Sequence, residues 1–282
     1  MRLDEPLARH TSLRIGGKAR FFIRPQGLSA LRLVVIGLKE HKIPIFIIGA
    51  GSNILAGDKG VKGAVLKMDA PYFKKISLRG RRITAGCSAA LGGLLREAGG
   101  HSLSGLEFSV GIPGTLGGAL VMNAGAWGKE IAEIVEKVKV MDYNGRIKTL
   151  TRSSMHFGYR KSCLGKYIVL SAVLKLSPAS RQEISGRVRE YLRRRRAAQD
   201  SSFPNAGCIF KNPAGRSAGR LIELCGLKGK NSGGVRISRR HANFILNYRN
   251  GSSGDVLRLM EIAARRVKDK FGISLKPEIV IW

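Results

Sequence analysis

A single segment of 25 residues, Ser104–Gly128, limits the possible folds of this chain most strongly. It reads SGLEFSVGIPGTLGGALVMNAGAWG and contains seven glycines. Glycine accepts positive φ and lets backbone amides approach a ligand closely, and a long loop of this kind is usually functional. Residues 115–122 fit a short helix whose N-terminus binds phosphate, with a compact surface loop as the alternative. We therefore expect this segment to bind a diphosphate group.

The composition describes a globular and strongly basic chain. Its 282 residues are 44 % hydrophobic, which excludes wholesale disorder and allows two or three domains. Lysine and arginine number 50 against 19 acidic residues, for a net charge of +31. This charge is spread along the chain apart from Arg193–Arg196, and aromatic residues make up only 6 %. We therefore expect a generally basic surface and no nucleic-acid partner.

Other sequence features bear on location and on metal binding. No apolar run approaches the roughly 20 residues of a membrane span, and the first residues lack the pattern of a signal peptide, so we expect a cytoplasmic protein. The four cysteines (87, 163, 208 and 225) contain no CxxC pair, and the five histidines show no metal-ligand spacing. We expect reduced thiols and no metal site.

Hydrophobic periodicity divides the chain into three predicted parts: 1–67, 68–178 and 179–282. The first has strands at Ala19–Ile23 and Ile43–Ile48 around a helix at Ser29–His41. The second is rich in strands and contains a hairpin at Asn144-Gly145, and the third has three helices and a final strand. The further predicted strands are Ala64–Met68, Arg82–Ala85, Ala132–Asp142, Tyr167–Leu176 and Leu275–Trp282; the further helices are Ala90–Ala98, Gln182–Gln199, Ala218–Cys225 and Ser253–Phe271.

Three further motifs each allow two interpretations. Gly49–Asn53 follows an apolar strand, yet Ile54 replaces the third glycine of a dinucleotide fingerprint, so it is either an ordinary turn or an anion site. Cys208 lies between small residues and Ile209, which suits either a buried structural thiol or a reactive one. Glu278 is a single carboxylate in an apolar strand, which places it at a sheet edge or in a functional site.

Eight segments of the chain, from about residue 10 to the last residue, carry a resemblance when they are taken together. They are HTSLRIGGKAR, IGAGSNIL, GLEFSVGIPGTLGGALVMNAGAWG, YRKSCL, AGCIFKNP, AGRLIELCGLKG, GGVRISRRHANFILN and LKPEIVIW. In this order they resemble the UDP-N-acetylenolpyruvoylglucosamine reductases (the MurB family). The resemblance implies an α+β chain with an FAD-binding fold of the vanillyl-alcohol-oxidase (PCMH) type and a C-terminal α+β substrate domain.

The resemblance also implies a reaction and its catalytic residues. NADPH reduces non-covalently bound FAD, and flavin N5 then delivers hydride to the enolpyruvyl group of UDP-N-acetylenolpyruvoylglucosamine, giving UDP-N-acetylmuramate for peptidoglycan synthesis. By match to the family's motifs, Arg160 holds the substrate carboxylate and Glu278, as the protonated acid, stabilises developing charge. Cys208 stands where the family usually has serine. A thiol is more acidic than a serine hydroxyl, so we expect Cys208 to donate the proton.

The remaining expectations concern binding residues and alternatives. Lys211 and Asn212 are expected to contact the substrate, and the chain resembles the shorter type of the family, which lacks a tyrosine-bearing loop. We expect a monomer. The alternatives are another flavin oxidoreductase of the same fold or, more remotely, a basic nucleic-acid-binding protein without a bound chromophore. The residues expected to bind FAD are Gly49, Ala50, Gly51, Ser52, Asn53, Gly111, Ile112, Pro113, Gly114, Thr115, Gly117, Gly118 and Asn123.

Overall fold

The computed structural model describes all 282 residues, as a mixture of helices and short strands. The helices are α1 Leu28–Glu40, α2 Leu91–Gly100, α3 Leu116–Val121, α4 Arg181–Ala198, α5 Ala218–Leu224 and α6 Ser253–Phe271. The strands are β1 Arg2–Pro6, β2 Lys18–Ile23, β3 Ile45–Ile47, β4 Ile54–Leu55, β5 Val61–Leu66, β6 Ile76–Arg79, β7 Arg82–Gly86, β8 Leu103–Ser104, β9 Gly125–Ala126, β10 Lys129–Glu130, β11 Val135–Met141, β12 Ile147–Thr151, β13 Ile168–Lys175, β14 Ser177–Pro178, β15 Asn205–Cys208, β16 Asn231–Ser232, β17 Val235–Ile237, β18 Phe244–Asn247 and β19 Val280–Ile281.

The chain forms two compact units, each built from separate stretches of sequence. Unit 1 comprises Met1, residues 22–50 and residues 63–195. Unit 2 comprises residues 2–21, 51–62 and 196–282. No helix combines the length and the apolar character that crossing a bilayer requires. The predicted division into 1–67, 68–178 and 179–282 stays a prediction.

Unit 1 contains an antiparallel sheet in the order β12-β11-β13-β7-β6. The predicted hairpin at Asn144-Gly145 joins β11 to β12, with Gly145 at φ 75°. The Asp142 carboxylate closes this turn by accepting from the backbone N–H groups of Asn144 at 2.8 Å and Arg146 at 2.9 Å. A carboxylate that bonds the backbone two residues onward is a typical turn former. The hairpin prediction is therefore confirmed.

Unit 2 contains a second antiparallel sheet, in the order β15-β18-β17-β16, with α5 and α6 packed on one face. Val235, Ile237 and Ile245 contribute to its core from the sheet. Helix α6 contributes the residues whose helical spacing predicted an apolar stripe, and all of them are buried: Val256, Leu259, Met260, Ala263 and Val267. The amphipathic period alone therefore located this helix and its buried face.

The N-terminus of α6 is capped from two directions. Ser252 Oγ accepts from Asp255 N at 3.0 Å, and the Asp255 carboxylate accepts from Ser252 N at 3.0 Å, forming a capping box. Asp58 accepts from the N–H groups of Ser253 at 2.8 Å and Gly254 at 3.3 Å. A carboxylate at this end also interacts favourably with the helix dipole. Asp58 therefore ties the chain that follows β4 to the start of α6.

Two predicted strands differ from the structure. Of Ala132–Asp142, only Val135–Met141 is a strand, because Glu130 and Glu133 form a capping box that begins a 3₁₀ turn at Ile131–Glu133. Of Leu275–Trp282, only Val280–Ile281 is a strand. The rest of that segment is bonded to changing partners: Lys276 O accepts from Lys211 N, and Val280 N donates to Asn53 O. The spacing of apolar residues along a segment does not reveal such changes of hydrogen-bond partner.

We predict that Asp58→Ala destabilises the protein by about 1–2 kcal/mol, the usual cost of removing a helix cap. Asp58→Asn keeps a hydrogen-bond acceptor, so its free energy of unfolding should fall less. Asp269→Ala, at an exposed position of α6, serves as the control. The measurement is the urea midpoint of unfolding, followed by far-UV circular dichroism. Equal midpoints for Asp58→Ala and Asp269→Ala would contradict the capping role.

Candidate active site

Two of the glycine-rich segments meet in unit 1. Gly49, just beyond β3, approaches Thr115 so closely that a Cβ at position 49 would lie 2.6 Å from Thr115 Oγ1. Thr115 is the N-cap of α3, and its side chain accepts from Gly118 N at 3.4 Å. The short helix predicted at 115–122 is confirmed as α3. Glycine at 49 is thus needed for the close approach of the two segments.

The first turn of α3 is already bonded within the protein, which departs from the expectation that its amides bind phosphate. Leu116 N donates to Ala89 O at 2.9 Å, and Gly117 N donates to Cys87 O at 2.8 Å. With Gly118 N on Thr115, these amides have protein acceptors. By contrast, no protein acceptor receives the amides of Gly49 and Ala50. An anion in unit 1 would therefore bind the amides that follow β3 rather than those of α3.

Asn123 connects the glycine-rich segment to the turn that carries Arg160. Its side chain is fully buried, donates to Gly158 O at 3.0 Å and accepts from Ala132 N at 3.2 Å. Arg160, at φ 50°, donates through Nη2 to Gly125 O at 2.7 Å and through Nη1 to Asn123 O at 3.5 Å. These bonds fix the plane of the guanidinium. Asn123 serves here as a structural anchor, and its contact with FAD stays a prediction.

Cys208 lies at a β-bulge in unit 2. The register of β15 against β18 shifts between Asn205 and Cys208, and Gly207 adopts φ 74°. Asn205 Oδ1 accepts from Gly207 N at 3.0 Å, which holds the bulge. A bulge with glycine in the left-handed region redirects the next side chain, and such bulges occur often at active sites. The Cys208 thiol is half-buried.

The segment after Cys208 is held between two neighbours. On one side, the buried amide of Asn243 bonds both backbone groups of Phe210, accepting from N at 2.9 Å and donating to O at 2.8 Å. On the other side, Glu278 N donates to Ile209 O at 2.7 Å. The structure thus brings Cys208 and Glu278 onto adjacent extended segments, with Glu278 half-buried. The sequence analysis missed Asn243, whose only signal is a polar residue inside the apolar run of HANFILN.

The loop at 51–53 lies beside the same residues. Asn53 Nδ2 donates to Glu278 O at 3.1 Å. Ser12 N donates to Gly51 O at 3.0 Å, while Ser12 Oγ donates to Asn205 O at 2.7 Å. Hydrogen bonds within unit 2 therefore join the segments that carry the predicted residues Gly51, Asn53, Cys208 and Glu278. Ser12 was not predicted as a site residue.

A hydrogen bond between His10 and the buried Glu5 supports the turn that carries Ser12. His10 Nε2 lies 2.9 Å from Glu5 Oε1, and Glu5 is almost fully buried. The hydrogen bond from His10 holds the pKa of Glu5 below its usual range. Glu5 is therefore ionised and fixes the orientation of the His10 ring. A histidine after a turn-rich start was the available signal, but its partner is not evident from the sequence.

The two predicted substrate residues differ in their settings. Lys211 is half-buried, and its backbone N–H donates to Lys276 O at 2.9 Å. Asn212 is exposed, and its Oδ1 accepts from Ala218 N at 3.0 Å at the start of α5. Asn212 thus has a capping role in this structure, and its contact with substrate stays a prediction.

The cysteines differ in their surroundings. Burial raises the pKa of the Cys87 thiol to about 12, which keeps it protonated and unreactive. Cys208 is half-buried on a bulge and flanked by Ala206 and Gly207. Cys208 is therefore the more suitable thiol for a reaction with a bound ligand.

Comparison with known proteins covers almost the entire chain. Residues 19–151 match the model of an FAD binding domain, and residues 199–282 match the C-terminal domain of UDP-N-acetylenolpyruvoylglucosamine reductase. The chain is 43 % identical to the enzyme of that name from Caldanaerobacter subterraneus subsp. tengcongensis, over 99 % of this chain and 92 % of the relative. It is 41 % identical to UDP-N-acetylenolpyruvoylglucosamine reductase 2 of Symbiobacterium thermophilum, over 100 % and 92 %.

A solved structure agrees with these sequence matches. The reductase (MurB) from Thermus caldophilus superposes with a TM-score of 0.86 at 36 % identity, covering 100 % of this chain and 99 % of that one. Together with the FAD-binding match, this confirms the predicted fold class.

The residues present fit an FAD. In unit 1, the amides of Gly49 and Ala50 have no protein acceptor, as expected of groups that bind a diphosphate. Gly49 has no side chain to stand between its amide and a bound ligand, and its close contact with Thr115 leaves no room for one. Open backbone amides beside a glycine are a common way to hold a phosphate.

We predict that Gly49→Ala weakens FAD binding about tenfold, because overpacking costs roughly 1–3 kcal/mol and 1.4 kcal/mol corresponds to tenfold. The measurement is quenching of flavin fluorescence on titration of apoprotein. Gly92→Ala, where a Cβ meets nothing within 4 Å, is the control. If Gly49→Ala and Gly92→Ala bind FAD equally, the close approach at Gly49 has no role in binding.

Proposed function

The chain belongs to the UDP-N-acetylenolpyruvoylglucosamine reductase (MurB) family, and from this premise we propose how its own residues carry out that reaction. It is an NADPH-dependent oxidoreductase that uses FAD and acts in peptidoglycan precursor synthesis. The chemistry that FAD supplies when bound is hydride transfer from NADPH to the enolpyruvyl group of the nucleotide sugar. The proposal concerns the binding, orientation and proton transfer that the protein contributes.

Two sets of residues are proposed to hold the flavin. In unit 1 these are Gly49, Ala50 and the glycine-rich residues 111–118. In unit 2 they are residues 51–53. The unbonded amides of Gly49, Ala50 and Ser52 support the assignment of residues 49–53. The assignment of residues 111–118 rests on the match to the family's motif.

Arg160 is proposed to bind the carboxylate of the enolpyruvyl group. A guanidinium has five N–H donors in a planar fork, so donating to the carbonyls of Asn123 and Gly125 is compatible with a paired contact to a carboxylate. Those two carbonyls also set the plane of the fork before substrate arrives. Preorganised donors of this kind cost little reorganisation during reaction.

Glu278 is proposed to act as a neutral acid that donates a hydrogen bond to the substrate. Hydride addition to the terminal carbon leaves negative charge on the carbon beside the carboxylate, where a second anion would be repelled. A protonated carboxyl group instead stabilises that charge. The half-buried position of Glu278 and the hydrogen bonds of its backbone to Ile209 and Asn53 support this role.

Cys208 is proposed to protonate that carbon. An ordinary thiol has a pKa of ~8.5, so it is mostly protonated at neutral pH and still far more acidic than a serine hydroxyl. One observation carries the proposal. Glu278 N donates to the carbonyl of Ile209, the residue next to Cys208, so the proton donor and the charge-stabilising acid lie on adjacent segments of one unit.

The proposal extends to the organisation of the chain. We propose that residues 1–67 and 68–178 bind FAD and that 179–282 bind the substrate, with Lys211 and Asn212 among the contacts. The FAD-binding match at 19–151 and the C-terminal match at 199–282 fall on either side of residue 178, which supports the boundary there. Because the reaction consumes NADPH and a nucleotide sugar, we expect the protein to act in the cytoplasm. We also expect it to be a monomer.

We predict that Cys208→Ala slows the reaction with substrate by about 10²–10⁴-fold, the usual contribution of a positioned acid. Reduction by NADPH should be unchanged, because it needs no proton from this thiol. Cys208→Ser should keep most of the activity. The measurement is the flavin absorbance under anaerobic conditions, which bleaches on adding NADPH and returns on adding substrate.

Cys163→Ala is the control for the loss of a half-buried thiol. A Cys208→Ala enzyme whose absorbance returns at the normal rate would remove Cys208 from the mechanism. A protein that never takes up FAD would contradict the function itself.

We predict that Glu278→Ala slows the same step by about 10²–10³-fold, as measured when one donor to a developing oxyanion is removed. Glu278→Gln keeps an N–H donor and should lose less. Single-turnover absorbance after reduction by NADPH measures both rates, and Glu261→Ala on the exposed side of α6 is the control. Equal losses in Glu278→Gln and Glu278→Ala would indicate that hydrogen-bond donation is not what Glu278 supplies.

A further inference from the structure

An open pocket lies in unit 2, among residues that the reaction does not use. Its volume of about 370 Å³ is within the range of small-molecule sites. Its walls come from the end of α5, the turn that follows and one face of α6. The lining residues are Cys225, Gly226, Leu227, Lys230, Ile262, Arg265 and Arg266.

The wall at α5 is formed by a well-defined helix end. Gly226, at φ 70°, donates to Glu223 O at 2.8 Å, and Leu227 N donates to Ile222 O at 3.4 Å. These two hydrogen bonds together form a Schellman motif. Lys270 Nζ donates a hydrogen bond to Leu224 O at 2.8 Å. Because these carbonyls are bonded, they present little negative charge to the pocket.

The pocket combines an apolar surface with three cations. Leu227 and Ile262 supply the apolar part. Lys230, Arg265 and Arg266 are exposed, and no carboxylate lies within 4 Å of their charged groups. Nearby Lys228, in contrast, is paired with Glu223 at 2.8 Å. The three cations around the pocket thus have no carboxylate partner in the protein.

Helical spacing directs two of these cations to the pocket. Ile262, Arg265 and Arg266 stand at i, i+3 and i+4 on α6, so they share one face. Two guanidinium groups beside an apolar residue present planar donors that match phosphate oxygens. The net charge of +31 raises the local concentration of anions around the whole chain.

We propose that this pocket binds a small organic phosphate, whose phosphate oxygens contact Lys230, Arg265 and Arg266 while its apolar part packs against Leu227 and Ile262. Inorganic anions lack the apolar part, so they bind more weakly. Neither Cys208 nor Glu278 lines this pocket, so ligand binding there is measured without the reductase reaction.

Cys225 provides a reporter inside the pocket. In FAD-loaded protein carrying Cys163→Ser and Cys208→Ser, Cys87 is buried and Cys225 is the thiol left to react. Its labelling by dianionic dithiobis(nitrobenzoate) is followed with and without phenyl phosphate or inorganic phosphate, at constant ionic strength. We expect phenyl phosphate to slow labelling at lower concentration than inorganic phosphate does. Neutral dithiodipyridine tests whether either compound blocks the thiol sterically.

Variants of the cations locate the effect. Replacing Arg265 and Arg266 together by alanine should weaken protection by phenyl phosphate about tenfold, which equals roughly 1.4 kcal/mol. Lys230→Ala should weaken it less. Arg258→Ala, an exposed position of α6 outside the pocket, should leave protection unchanged.

Three results would overturn the proposal. Protection that survives loss of both arginines would place the anion elsewhere, and equal protection by the two phosphates would remove the apolar contact. Binding to phosphatidylglycerol vesicles that requires Arg265 and Arg266, without protection by phenyl phosphate, would assign these cations to a lipid surface instead.

Discussion

The candidate site residues of unit 2 depend on the packing of the His10–Ser12 turn against Gly51. Gly51 adopts φ 68°, and a Cβ there would overlap the His10 carbonyl oxygen. Ser12 then bonds both Gly51 and Asn205, so one residue holds the loop at 51–53 and the strand that carries Cys208. The buried pair of Glu5 and His10 supports this turn from behind. Residues separated by almost 200 positions in the sequence are thereby positioned together.

Buried amides extend this arrangement because they satisfy backbone groups where the strands are irregular. Asn243 bonds both backbone groups of Phe210, and Asn247 donates to Leu13 O at 3.0 Å while accepting from Gly251 N at 2.7 Å. An unpaired backbone group in such a place would cost roughly 1–3 kcal/mol. A side-chain amide can replace a missing strand partner because it carries one donor group and one acceptor group. The bulge at Gly207 is stabilised in the same way by Asn205.

Sequence patterns predicted the regular elements well where one period governed the segment. The buried stripe of α6, the hairpin at Asn144-Gly145 and the short helix after Thr115 are all present. The pattern failed where hydrogen bonding changes within a segment. The run ending at Trp282 changes partners around Pro277, and the first-turn amides of α3 are taken by Cys87, Ala89 and Thr115. Hydrophobic spacing reports which side of an element is buried and contains no information about which acceptor its amides meet.

The sequence by itself determined the family, the fold class and the chemical types at the candidate site: a thiol in place of a hydroxyl, a guanidinium and a carboxyl group. The chemical types follow from residue identity, and the family and fold class follow from the order of the matching segments along the chain. Only the tertiary structure decided that Glu278 lies on the segment beside Cys208, that Arg160 is anchored by Asn123 and Gly125, and that three unpaired cations surround an apolar pocket. The physical reason is that hydrogen bonds and ion pairs depend on distance in space, and folding creates those distances between residues far apart in the chain.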